Sequence, residues 1–109
     1  MELVLYDIVD TRRRNKVAQL CKDYCLFRIQ KSCFLGSLPE RKKAQFQKKI
    51  SELIKEEDSI YISQMEKKQV KELEVFGKGF DKEMVMAQKN VLFLMLDKGE
   101  YPEVLEWNR

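Results

Sequence analysis

A single carboxylate and a run of cations stand close together near the start of this 109-residue chain. Asp7 follows the apolar residues Leu3, Val4, Leu5 and Tyr6, and Arg12, Arg13, Arg14 and Lys16 come shortly after it. A carboxylate at a strand end beside guanidinium groups has two readings. In one it belongs to a capped turn with a solvated basic face. In the other a hard metal ion and a phosphate backbone meet there. Histidine is absent, which removes imidazole general-base catalysis and most zinc or copper sites. Metal chemistry in this chain therefore rests on carboxylates, with magnesium or manganese as the ion. The three cysteines, Cys21, Cys25 and Cys33, are odd in number and lack CxxC spacing. They argue against a disulfide framework or a zinc ribbon and read as small core residues.

The elements that must position these groups follow from periodicity. Residues 3–6 form an apolar run without alternation, which predicts a central strand covered on at least one face and flanked on both sides. Asp10 or Thr11 is placed to cap a helix over residues 11–25, whose stripe of Val17, Leu20, Cys21 and Tyr24 has helical spacing. Residues 26–30 and 32–38 read as two short strands joined tightly at Lys31. A connection that short makes them antiparallel, and Gly36 and Ser37 mark a bulge or strand end. Pro39 suits the first position of a second helix reaching Lys55, with Phe46, Ile50, Leu53 and Ile54 buried. Arg41, Lys42, Lys43, Lys48 and Lys49 are expected in water.

Residues 59–63 predict a fourth strand, with Ile60 and Ile62 alternating against Tyr61. The order strand, helix, strand, strand, helix, strand predicts an α+β, ferredoxin-like βαββαβ domain with its helices on one face of an antiparallel sheet. Leu73, Glu74, Val75 and Phe76 are expected to add a fifth strand, pairing with an open edge of this subunit or a partner. Phe80, Met84, Ala87 and Val91 have helical spacing. Residues 92–96 suit a further strand, and the end near Trp107 suits a docked turn.

Length predicts one small domain that a partner subunit would help to stabilise. The net charge of +3 hides an asymmetry. Residues 1–55 carry thirteen Lys or Arg against six Asp or Glu, whereas residues 56–109 carry eight against twelve. The basic half suits a polyanion. No apolar run has membrane-spanning length and the start has no secretory pattern, so a cytoplasmic protein without membrane contact is expected.

Several of these segments carry a resemblance. Tyr6–Asp7–Ile8, Asp10, Arg14–Asn15–Lys16, Arg28–Ile29–Gln30–Lys31–Ser32–Cys33–Phe34–Leu35–Gly36 and Glu74–Val75–Phe76–Gly77–Lys78–Gly79 occur in an order and spacing that resemble the small CRISPR-associated adaptation proteins of the Cas-two family, partners of the Cas-one integrase. The resemblance covers about residues 1–79. Lys31 stands where an aromatic is common in that family, and Cys33 where a valine is.

The resemblance implies a ferredoxin-like protomer over residues 1–79 in a two-fold homodimer. Residues 80–109, a longer tail than many members have, are expected from their own apolar residues to be a C-terminal extension for dimer or partner contacts. It implies that the C-terminal strand crosses to the other subunit's sheet. It also implies two roles. One is a magnesium-dependent nuclease acting on RNA or DNA, in which Asp7 of each subunit shares a magnesium ion (or manganese). The other is a scaffold that binds duplex DNA and bridges integrase subunits. Arg14, Lys16 and Arg28 are then the phosphate-holding residues, with Ser32 and Phe34 beside the site. Arg12 and Arg13 add to the basic field. Against these stands a third reading, a ferredoxin-like regulatory or small-ligand domain, with a toxin-like ribonuclease of the same fold beside it.

Overall fold

Alternation, rather than two-sided burial, governs the first strand. A computed structural model describes residues 1–87. In order, they form β1 (Glu2–Asp7), α1 (Thr11–Asp23), β2 (Phe27–Gln30), β3 (Cys33–Gly36), α2 (Glu40–Leu53), β4 (Ser59–Gln64), α3 (Lys67–Glu72) and α4 (Lys82–Ala87). Val4 and Tyr6 of β1 are buried, whereas Leu5 and Asp7 are exposed. β1 is flanked on both sides, by β3 and β4, and covered on one face, as its apolar run predicts; its second face is open at the C-terminal end.

The four strands make one antiparallel sheet in the order β2-β3-β1-β4. β1 and β2 are joined through α1, with β3 between them. Register sets the faces. Val4 lies opposite Phe34 and Ile62, and Tyr6 opposite Ile60. These residues meet Val17, Cys21 and Tyr24 of α1 and Phe46 and Ile50 of α2 in the main core. Tyr24 and Phe46 pack edge-on at 5.4 Å. The predicted stripes of both helices are thus the buried ones, with Leu20, Leu53 and Ile54 at the margin. The Asp10 carboxylate caps α1 by accepting from the Arg13 N–H at 2.9 Å. Pro39 is the residue before α2 rather than its first member.

One other expectation changes. Lys43 does not stay in water. Its ammonium lies 3.3 Å from the carboxylate of Glu2, a buried residue whose charge needs a partner. Lys49 lies over the Tyr24 ring at 5.3 Å. Gly36 ends β3, the strand end being one of the two readings given for it, and a bulge falls between Arg28 and Gln30 in β2.

The fifth strand expected over residues 73–76 is not formed within the chain. A helix intervenes instead. Glu66 and Gln69 form a reciprocal capping box that starts α3 just past β4, and Lys82 then takes the Leu73 carbonyl at 2.6 Å. Leu73, Val75 and Phe76 remain exposed. The chain next turns beneath the sheet, where Val70 and Val85 pack with Cys25, Phe27 and Leu35 in a second cluster that also takes Leu3 and Phe80. This cluster covers part of the second sheet face. The readings for Val91, residues 92–96 and Trp107 lie outside the described residues.

Candidate functional site

Asp7 emerges at the C-terminal end of β1, where Ile8 and Val9 carry the chain into α1. It opens on a cleft of about 1040 Å³ that also takes Arg14 and Asn15 from α1, Arg28 to Ser32 from the β2–β3 hairpin, and Lys78, Gly79 and Phe80 from the loop before α4. Four of the six residues singled out in the sequence therefore come together: Asp7, Arg14, Arg28 and Ser32. Lys16 is exposed on α1 but does not line the cleft. Phe34 is fully buried beneath it.

Both arginines are held by the backbone. Arg14 donates to the Ile8 carbonyl at 3.0 Å and to the Thr11 hydroxyl at 3.0 Å. Arg28 donates to the Lys31 carbonyl at 2.9 Å and lies over the Phe34 ring, 5.3 Å from its centroid. Such anchoring fixes the direction of each planar fork. Phe34 thus supports Arg28 from below. Tyr6 adds to the stack, its ring 6.3 Å from that of Phe34 and its hydroxyl donating to the Lys31 carbonyl at 3.2 Å. Burial pushes the Tyr6 phenol above its ordinary pKa, outweighing the opposing pull of Arg28, so it remains a neutral donor.

Arg13 leaves the basic field. Its guanidinium bonds both carboxylate oxygens of Asp58, at 2.6 and 3.1 Å, and Glu57 at 2.9 Å. The cysteines are buried, and burial pushes Cys25 and Cys33 up to about 11 and Cys21 to about 12. Their thiols stay protonated and serve packing.

The donor chemistry bears on the magnesium expectation. Asp10 is occupied as a cap and Asp58 by Arg13. The Asp7 carboxylate is exposed, and no side chain among the described residues engages it. Among the described residues no three His, Cys, Asp or Glu side chains gather as a ready-made metal cage. One carboxylate that no described side chain engages, beside two arginines, fits an ion that keeps its waters and takes one or two carboxylates together with phosphate oxygens.

A family model described as CRISPR associated protein Cas2 matches residues 1–73, well over half of the chain. The chain belongs to the Cas2 family. Among curated relatives, it is similar to a CRISPR-associated endoribonuclease Cas2 from Korarchaeum cryptofilum, 51% identical over 41 residues that cover 38% of this chain and 44% of the relative. A second, from Desulforudis audaxviator, is 36% identical over 52 residues, 48% of this chain and 49% of the relative. The chain thus spans about half the length of the curated relatives it matches. Among solved structures, Cas2 of Streptococcus pyogenes aligns with a TM-score of 0.62 at 30% identity, covering 70% of this chain and 98% of that one. A hypothetical protein from Thermus thermophilus aligns at 0.60 and 30% identity, covering 73% and 93%.

Within this Cas2-family fold, sequence reasoning passed over Asn15, Lys31 and Lys78 as cleft residues. Lys31 had a signal, since it sits at the hairpin tip between Arg28 and Ser32. Lys78 had none, because α3 is what returns the chain to the cleft.

Proposed function

We propose that this chain acts in CRISPR adaptation by holding a phosphodiester backbone in the Asp7 cleft. It does so as a two-fold homodimer of ferredoxin-like protomers that supports duplex DNA and bridges integrase subunits of the Cas-one family. The observation that carries the reading is the meeting of Arg14 and Arg28, each anchored on a backbone carbonyl, with Asp7 in one cleft. Pre-oriented guanidiniums bind phosphate bidentately without reading bases. The sheet order β2-β3-β1-β4 supports the ferredoxin-like assignment. The half-open second face, with Leu5 and Tyr61 exposed, supports a dimer.

A second reading, phosphodiester cleavage, is favoured by the unengaged Asp7 carboxylate and by the endoribonuclease names of the relatives. Asp7 would hold a magnesium ion, with the partner copy supplying a second carboxylate. The bound ion supplies Lewis-acid activation of water and neutralises phosphate charge. Arg14 and Arg28 bind and orient the phosphate, and Tyr6 and Phe34 keep Arg28 in place.

The test uses labelled single-stranded RNA and duplex DNA with wild-type protein, Asp7→Asn and an Arg14→Ala/Arg28→Ala double variant, with magnesium and with chelator. Asp7→Asn is expected to abolish metal-dependent cleavage, a loss of at least about 100-fold, with binding and thermal midpoint little changed. Cleavage that survives in Asp7→Asn sinks the metal site. The double variant is expected to weaken binding and flatten its salt dependence. Unchanged binding moves the nucleic-acid surface elsewhere.

A further inference from the structure

Residues 73–81 form a loop between α3 and α4 whose backbone is held at several points. The Lys82 ammonium meets no carboxylate among the described residues. It donates instead to the carbonyls of Lys71 and Leu73, at 3.1 and 2.6 Å, closing the loop's base at the end of α3. Gly77 adopts φ +82°, in the left-handed region that glycine enters without strain. At Gly79 a Cβ would lie 3.0 Å from the Val75 Cγ1, so the two limbs of the loop approach closely there. Phe80 packs against the second hydrophobic cluster. Between these fixed points stands Lys78, exposed, lining the same cleft as Asp7, Arg14 and Arg28. No described residue engages its ammonium. It also lies beyond residue 73, where the family match ends.

We propose that Lys78 is a phosphate-binding residue of the Asp7 cleft, adding a third cation, from the α3–α4 loop, to the two arginines. The inference rests on the reading of the cleft as a phosphodiester site. A lysine at the end of a loop tied at its base and anchored by Phe80 gives up less backbone freedom on binding than one on a loose segment. Its ligand is the charge of a phosphodiester, in RNA or in duplex DNA, and it reads no base.

The experiment measures binding of a labelled single-stranded RNA and a labelled DNA duplex to the full chain over a range of salt concentrations. The proteins are wild type, Lys78→Ala, Lys78→Arg, Arg14→Ala and Lys68→Ala, the last an exposed α3 lysine away from the cleft. Lys78→Ala is expected to weaken binding several-fold. It should lower the slope of log affinity against log salt by about 0.9 on the duplex or about 0.7 on the single strand, the loss of one phosphate contact. Lys78→Arg should retain the slope and Lys68→Ala should match wild type. An effect confined to RNA or to duplex identifies which backbone the lysine meets. If Arg14→Ala weakens binding and Lys78→Ala does not, the assignment of Lys78 is overturned and the cleft stands. If neither variant changes binding, the cleft reading falls with it.

Discussion

Arg12, Arg13 and Arg14 open α1 side by side, and their surroundings divide their work. Arg12 stays in water. Arg14 turns to the end of β1 and faces the cleft. Arg13 reaches across to the turn before β4, where Asp58 also accepts the Val9 N–H at 3.1 Å and the Lys55 N–H at 2.9 Å. The Asp58 side chain is fully covered, and the Arg13 hydrogen bond leads the effects that hold its pKa well below the usual carboxylate range. A carboxyl whose pKa is depressed on folding adds stability that is present above its unfolded value, near 4, and lost as pH falls through the folded value. Asp58→Asn is therefore expected to lower the thermal midpoint by several degrees at neutral pH. The gap to wild type should close progressively below about pH 4. A gap that is flat from pH 7 to pH 3 contradicts the ion-paired role. Because Asp58 does not line the cleft, binding to nucleic acid at neutral pH should change little in protein that remains folded.

Packing at the level of elements explains why β3 is buried along its whole length. Phe34 faces the α1–α2 core, and Cys33 and Leu35 face the opposite side, where α3 and α4 cover Leu35. The strand ends at Gly36 because another chain segment passes over it. A Cβ at Gly36 would lie 2.9 Å from Leu26 Cδ2 and 3.2 Å from Leu26 Cα, and Leu26 is fully buried. Gly36→Ala is expected to destabilise the fold by about 1–3 kcal/mol, the usual cost of overpacking, measured as a lower denaturation midpoint. A neutral result would mean that the segment at Leu26 shifts freely. The bulge between Arg28 and Gln30 belongs to the same hairpin. It re-aims the tip so that the Lys31 carbonyl can receive both Tyr6 and Arg28.

At the scale of the molecule, the two sheet faces are unequal. One is sealed by α1 and α2. The other is sealed at one end by α3 and α4 and open around Leu5, 41% exposed, and Tyr61, 68% exposed, which lie opposite each other on β1 and β4. A hollow of about 610 Å³ runs over this open part and includes Asp7, Ser32 and Ser59. A second copy seated there would cover apolar surface and bring two Asp7 carboxylates towards each other. Tyr61→Glu puts a charge on this face at a position the protomer leaves mostly in water. It is expected to convert a dimer to a monomer in sedimentation at micromolar concentration, with circular dichroism unchanged. A wild-type protein that already sediments as a monomer at that concentration removes the dimer, and with it the shared metal site.

Much of the architecture is local in origin and was legible in the residues. The 3.6-residue stripes of α1 and α2, the Asp10 cap, the short hairpin at Lys31 and the alternation of Ile60 and Ile62 each follow from side chains a few positions apart. So does the choice of Asp7 and Arg14, which flank one strand–helix turn. The Glu66–Gln69 capping box was equally local and was missed, and α3 with it. Other features depend on residues distant in sequence, and only tertiary packing decided them. Burial of Glu2 against Lys43, capture of Arg13 by Asp58 and the return of Lys78 to the cleft are set by chain reversals that periodicity does not encode. Apolar residues at 3–6 likewise could not tell which face would be covered. A continuous hydrophobic run is compatible with either, and the answer came from where α3 and α4 fold back.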